Sequence, residues 1–179
     1  MSNALMIDLE TLSTQKNAAV LQAGWCMFDP QSDDISYKYE QNVCADSCLS
    51  LDGHVSDSTV RWWLNGTPEA RQSVSKPGRV IFEVLKELVR DYRGLNCTSV
   101  WSNGSCFDIV ILEHYFSRLG MAPPWKFWDI MDTRTLWATA TQMGWSRKKD
   151  VVAHTALDDA VAQAIQVQSA MAFIRGLRP

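Results

Sequence analysis

The chain has 179 residues, a formal net charge of −3 and a pI near 5.6. That balance excludes coating of nucleic acid through a broad basic surface, which needs many Lys and Arg to displace counterions. At 46% hydrophobic and 21% charged it reads as an ordinary globular chain, expected to fold as one domain over residues 1–179 with a real core.

The elements follow in order. The opening run Ala4-Leu5-Met6-Ile7 is apolar and predicts a buried strand, yet the strand continues into Asp8 and Glu10. Residues 20–28 are apolar enough for a central strand. Residues 35–43 alternate Ile35, Tyr37, Tyr39, Gln41, Val43 as a half-exposed strand does, after a turn at 30–34. With the first strand they form a three-stranded antiparallel meander. Asp57 or Ser56 caps a short helix over 58–64 that Asn65-Gly66 stops, and Pro68 begins a further turn. Residues 79–92 place Ile81, Val84, Leu85, Leu88 and Tyr92 at helical spacing before Gly94. Residues 98–101 form a short strand, and a helix follows Asn103-Gly104-Ser105 as far as Gly120. A fifth strand over 128–131, a helix over 133–143 capped by Asp132, and a long alanine-rich helix over 155–175 complete the reading. Strands followed by alternating strands and helices predict an α/β fold, a mixed five-stranded sheet flanked by helices.

No apolar run approaches the roughly 18 residues of a membrane span, and no basic, hydrophobic, small-residue leader opens the chain, so a cytoplasmic protein without membrane contact is expected. Five cysteines without a CxxC pair exclude a disulfide framework or a zinc site, and Cys26, Cys97 and Cys106 are expected to pack as small hydrophobes. Eight tryptophans are many for this length. Most belong to the core, but Trp62, Trp63, Trp125 and Trp128 lie beside turn signals. Trp62 and Trp63 are adjacent on a helix, so one is expected in the core and the other is free to stack on a base. His54 and His114 read as caps or packing residues.

Asp8 and Glu10 point to the same side of their strand. Two like charges on a half-buried face repel and lose water unless a cation sits between them. Two more acids stand against apolar neighbours, Asp108 in FDIVIL and Asp159 in HTALDDA, each opening a helix. Each alone reads as an ordinary helix-start acid. If both helix starts meet the end of the first strand, four carboxylates converge on divalent cations. Hard oxygen donors in that number suit Mg²⁺ or Mn²⁺, and two ions about 3.5–4 Å apart form the clamp used in phosphodiester cleavage. His154, ahead of the last helix, suits the role of general base, since an unperturbed imidazole titrates at about 6.5. The run Arg147-Lys148-Lys149 precedes it and reads either as a solvated loop or as a stretch beside the cleft that attracts backbone phosphates.

These residues resemble the DnaQ-like 3'-to-5' exonucleases of the DEDDh type, built on an RNase H-like fold. The first motif, D-x-E-T, is Asp8-Leu9-Glu10-Thr11; the second, an Asn-containing turn then Phe-Asp, is Asn103 to Asp108; the third, H-x₄-D, is His154 to Asp159. All three occur in the family's order across nearly the whole chain. The stretches TVRWWLNGTPEAR and PWKFWDIMDTRTL look like a branch found in phages and bacteria that includes phage exodeoxyribonucleases. A Gln is common in that branch where this chain has Gly66.

The resemblance implies that Asp8, Glu10, Asp108 and Asp159 hold two metals and that His154 is the base. It implies that Thr11 reaches the 3'-hydroxyl through its backbone and that Leu12 wedges under the last base. Asn103, Phe107 and Trp63 complete the expected substrate contacts. The function expected is metal-dependent removal of nucleotides from single-stranded 3' ends of DNA, releasing 5'-monophosphates, in a bacterial or phage-infected host cytoplasm. Low processivity is expected unless a homodimer lengthens the groove. The alternatives are a 3'-to-5' exoribonuclease acting on short RNA or RNA ends, and a non-catalytic nucleic-acid-binding module.

Overall fold

The structure is a computed structural model that describes residues 3–147 and 155–176. Among them, strands β1 (Ala4–Thr11), β2 (Val20–Phe28), β3 (Ile35–Asn42), β4 (Ser99–Ser102) and β5 (Ile130–Asp132) form one sheet in the order β3-β2-β1-β4-β5. β1, β2 and β3 pair antiparallel, whereas β4 joins β1 and β5 joins β4 in parallel. The mixed sheet flanked by helices is therefore as the sequence implies.

Alternation along β1 sorts its side chains between two cores. Leu5, Ile7 and Leu9 pack with Val84, Leu85 and Leu88 of α4 (Ile81–Gly94) and with Ile109, Ile111 and Leu112 of α5 (Asp108–Arg118). Ala4 and Met6 face the opposite way, against Ala160, Ala164 and Val167 of α7 (Ala156–Gly176). The i, i+4 spacing of small residues lets α7 lie close on the sheet, where it packs along β1, β2 and β3 with α6 (Thr133–Gln142) beside it. Asp8 and Glu10 continue the face that α7 covers.

The remaining helices frame the carboxyl end of β1. They are α1 (Ala45–Leu49), α2 (Asp57–Leu64) and α3 (Pro68–Val74). Ser56 Oγ accepts from Thr59 N at 3.3 Å, so Ser56 rather than Asp57 caps α2.

Several boundaries differ from expectation. Residues 127–129 form a 3-10 turn closed by Lys126 N donating to Asp129 Oδ2 at 3.0 Å, which delays β5 to Ile130. Residues 68–74 make a full helix rather than a turn, because Thr67 Oγ1 accepts from Ala70 N and Pro68 suits a first helical position. Cys26 and Cys97 are buried as expected, but Cys106 is exposed in the turn before α5. Trp125 is buried and Trp128 exposed. Among the described residues no helix is long and apolar enough to cross a membrane.

Candidate active site

Asp8 and Glu10 sit near the end of β1, and Asp159 reaches them from the first turn of α7. Carboxylate oxygens of the three residues lie within 4.8 Å of one another. The sheet itself aims α7 at this point. Asp8 pairs with Gly24 across β1 and β2, and a Cβ at Gly24 would stand 2.3 Å from the backbone N of Leu157. A residue without a side chain is what admits the helix start. The free N–H groups of that first turn then find acceptors on neighbouring strands: Ala156 N donates to Gln22 Oε1 at 2.9 Å and Leu157 N to Glu40 Oε1 at 3.3 Å. Asp158 N donates to Thr155 Oγ1 at 3.1 Å.

One turn beyond Asp159, Gln163 turns its amide into the same space and donates from Nε2 to Asp8 Oδ1 at 2.7 Å. Its Oε1 is buried and has no hydrogen-bond partner among the described residues. Asp108, at the start of α5, is 3% exposed and accepts from Leu9 N at 3.2 Å through Oδ1, so it lies against β1 from the α5 side.

The electrostatics are those of an unneutralised anionic site. Burial first, then the charges of Asp108 and Glu10, hold the Asp8 carboxyl well above the ordinary range, and the Gln163 hydrogen bond opposes them. Burial and the charges of Asp159 and Glu40 push Glu10 from 4.5 to about 7. Burial raises Asp108 from 3.8 to about 7 against the Leu9 N–H and the nearby Arg134 cation. Carboxylates that resist ionisation only because of one another and of burial are a ready donor set for hard divalent cations. Mg²⁺ or Mn²⁺ fits the oxygen-only ligands of Asp8, Glu10 and Asp159, with Asp108 beside Asp8.

Next to Glu10 opens a pocket of about 390 Å³. Thr11, Phe107, Trp62 and Trp63 are among its walls. Trp63 is 6% exposed and donates from Nε1 to Thr11 O at 2.9 Å, whereas Trp62 is 58% exposed. The two rings meet edge to face at 5.0 Å, so adjacent residues contribute to one wall, the inner ring as support and the outer ring as an open face.

Leu12 and Asn103 are not brought to this pocket. The backbone of Leu12 is bound to Ala19 and Ser56, and its side chain packs on the core. Asn103 Oδ1 accepts from Arg134 Nε at 3.1 Å. Asp132 caps α6 as expected, accepting from Thr135 N at 3.0 Å, and it also accepts from Ser105 N at 2.6 Å. His54 and His114 are structural, on Ser13 and Leu51 O respectively. His154, Lys148 and Lys149 lie outside the described residues; Arg147 stands over the Trp137 ring at 3.9 Å.

Sequence reasoning missed Gln22, Gly24, Glu40, Arg134 and Gln163. Gln163 carried a usable signal, since i+4 from Asp159 places it on the same helix face. Gln22, Gly24 and Glu40 act through strand register, which a single sequence does not display.

Residues 3–171 match the family described as the 3'-5' exoribonuclease Rv2179c-like domain. An exodeoxyribonuclease of Enterobacteria phage T4 is 23% identical over 96% of this chain and 90% of its own length. Among solved structures, cell-death related nuclease 4 aligns at a TM-score of 0.64 and 15% identity, over 94% of this chain and 63% of that one. E. coli Exonuclease I in complex with a dT13 oligonucleotide aligns at 0.60 and 16%, over 99% of this chain but 42% of that one. The nuclease domain of 3'hExo, a DEDDh family member bound to rAMP, aligns at 0.54 and 15% identity, over 98% of this chain and 93% of that one. This chain thus spans less than two thirds of the first two of these structures, whose shared feature with it is the fold. The family match runs along nearly the whole chain and includes the residues that gather the acids: the protein belongs to the Rv2179c-like family and is a 3'-5' exonuclease.

Proposed function

We propose that the protein removes nucleotides one at a time from single-stranded 3' ends of DNA, releasing 5'-monophosphates by a two-metal-ion mechanism. The observation that carries this reading is the approach of Asp8, Glu10 and Asp159 oxygens to within 4.8 Å, a donor set whose ionised form divalent cations neutralise. Asp8, Glu10, Asp159 and Asp108 would hold two ions, Mg²⁺ or Mn²⁺. Such ions, when bound, acidify the attacking water and neutralise charge on the scissile phosphate and the departing 3' oxygen.

The chain's own residues do the rest. Gln163 fixes the Asp8 carboxylate through Oδ1 and leaves Oδ2 for a ligand. His154, by its motif position, takes the proton of the water on a ring nitrogen. The pocket beside Glu10 receives the terminal nucleoside, with Trp62 as the stacking face and Thr11, Phe107 and the buried Trp63 shaping its wall. The acidic net charge suits an enzyme that grips one terminus at a small site, so a single copy has low processivity and a homodimer would be the route to a longer track. The phage relative supports work in a bacterial or phage-infected host cytoplasm.

A second reading, RNA ends as substrate, is favoured by the description of the matching family as exoribonucleases. The two differ in how the site receives a 2'-hydroxyl. The test is a 5'-labelled ladder on matched single-stranded DNA, duplex DNA and RNA with Mg²⁺, Mn²⁺ or EDTA. Single-nucleotide steps on single-stranded DNA that EDTA and Asp8→Asn both abolish are expected. Faster steps on RNA would transfer the assignment to the second reading, and cleavage persisting in EDTA would end both.

A further inference from the structure

Arg134 is the second residue of α6 and is exposed. Among the described residues it forms no ion pair, yet its guanidinium is held in place. Asn103 Oδ1 accepts from Nε at 3.1 Å. Gly104, at φ +99°, lies so close beneath it that a Cβ there would stand 3.0 Å from Cζ. Asp132 fixes both supports at once, accepting from Ser105 N in the loop and from Thr135 N in the helix. Arg134 therefore stands over the loop that runs from the end of β4 into Asp108 at the start of α5. A cation immobilised at the carboxyl end of β4, with no ion pair among the described residues, is placed to meet an anion from outside the chain.

Its position suggests a ligand. The pocket for the terminal nucleoside opens on the Thr11 and Trp63 side of the acids, and neither Arg134 nor Asn103 lines it. The rest of the strand must leave past the acids on another flank. Toward β3 that flank carries Glu40, whose carboxylate lies at the start of α7, accepting from Leu157 N, and would repel a phosphate. Toward β5 it carries Arg134.

Building on the function proposed above, we infer that Arg134 binds the phosphate one nucleotide to the 5' side of the scissile bond, and that Asn103 is its positioning residue. The chemistry is a guanidinium donating charge-assisted hydrogen bonds to a phosphodiester. The contact is sequence-independent and fixes the register of the strand over the acids.

The test compares two substrates with Mn²⁺ present: a (dT)₁₀ oligonucleotide, and the p-nitrophenyl ester of thymidine 5'-monophosphate, which has a scissile phosphate but no upstream one. For Arg134→Gln the KM on (dT)₁₀ should rise roughly tenfold or more, with kcat changed far less. The slope of log KM against log salt should fall by about 0.7. The loss on the ester should be several-fold smaller, Arg134→Lys should restore much of the oligonucleotide KM, and Asn103→Ala should follow Arg134→Gln in part. Melting curves establish that each variant is folded. An equal loss on both substrates, or no change on the oligonucleotide, overturns the inference. If the wild-type protein cleaves neither substrate with any divalent ion, it is the proposed function that fails.

Discussion

Gly24 in β2 lies under Leu157 so closely that a methyl group on it would stand 2.3 Å from the Leu157 backbone N. Since Gly24 is also the partner of Asp8 across the ladder, one strand position sets how near α7 comes to the acids. Gly24→Ala should therefore displace the helix start that carries Asp159. Overpacking of this kind costs typically about 1–3 kcal/mol, a melting point lower by ~2–4 °C for each kcal/mol in a chain of this size. Metal-dependent cleavage should fall by more than that stability loss explains. A melting curve and a nucleotide-release assay on the same preparation check it; an unchanged melting point would contradict the packing described.

The raised carboxyl groups make metal-free stability depend on pH. Glu10 and Asp108 titrate at about 7 when folded, above their ordinary 4.5 and 3.8, and Asp8 is raised as well. Between pH ~4 and ~7 the folded state holds more protons than the unfolded one, so stability falls as pH rises, by up to ~1.4 kcal/mol per pH unit for each such group. In EDTA the protein should melt lower at pH 7.5 than at pH 5.5, and Mn²⁺ should restore more at pH 7.5 because it binds ionised ligands. Asp8→Asn, which keeps an oxygen for Gln163, should flatten the pH dependence. A metal-free melting point that rises over this range would reverse the sign and refute the electrostatic account.

Gln163 donates to Asp8 while its own Oε1 finds no partner among the described residues. Replacement by an apolar residue of similar size removes the orphaned acceptor but leaves buried Asp8 Oδ1 without its donor, so Gln163→Leu should destabilise the metal-free protein by about 1–3 kcal/mol. Loss of a group that orients a ligand typically weakens metal binding by about 10–100-fold. Calorimetric titration with Mn²⁺ separates the two effects, and wild-type affinity in the variant would remove Gln163 from the site.

The paired tryptophans should behave oppositely. Trp62 is mostly exposed, so Trp62→Ala should leave stability within ~0.5 kcal/mol and weaken oligonucleotide binding by the ~1–3 kcal/mol of a lost stacking partner. Trp63 is buried and holds Thr11 O, so Trp63→Ala should destabilise by ~3–5 kcal/mol. Fluorescence-anisotropy titration in Ca²⁺ or EDTA and thermal melts read both. Equal stability losses would contradict the division of roles.

What the sequence revealed was what periodicity and motif order encode. The alternation of β1, the helical stripe of Ile81, Val84, Leu85 and Leu88, and the order D-x-E, Phe-Asp, H-x₄-D together imply the sheet and the acids that the fold gathers. Hidden from it was everything that depends on which strands become neighbours. Gln22 and Glu40 cap α7 only because β2 and β3 lie beside β1, and Arg134 reaches Asn103 only because β5 pairs with β4 in parallel. The motif position of Asn103 points to the substrate, but the motif does not display the Arg134 Nε that its Oδ1 accepts from. The start of β5 at Ile130 rather than 128 likewise depends on a turn, in which Lys126 N donates to Asp129 Oδ2.

The central claim is that acids from β1, α5 and α7 hold paired divalent ions. The measurement that reads it most directly is an anomalous difference map from a crystal soaked in Mn²⁺ at neutral pH. The account predicts two peaks about 3.5–4 Å apart among Asp8, Glu10 and Asp159, with Asp108 alongside. A map with no peak between these carboxylates, at Mn²⁺ concentrations that support nucleotide release, would contradict it.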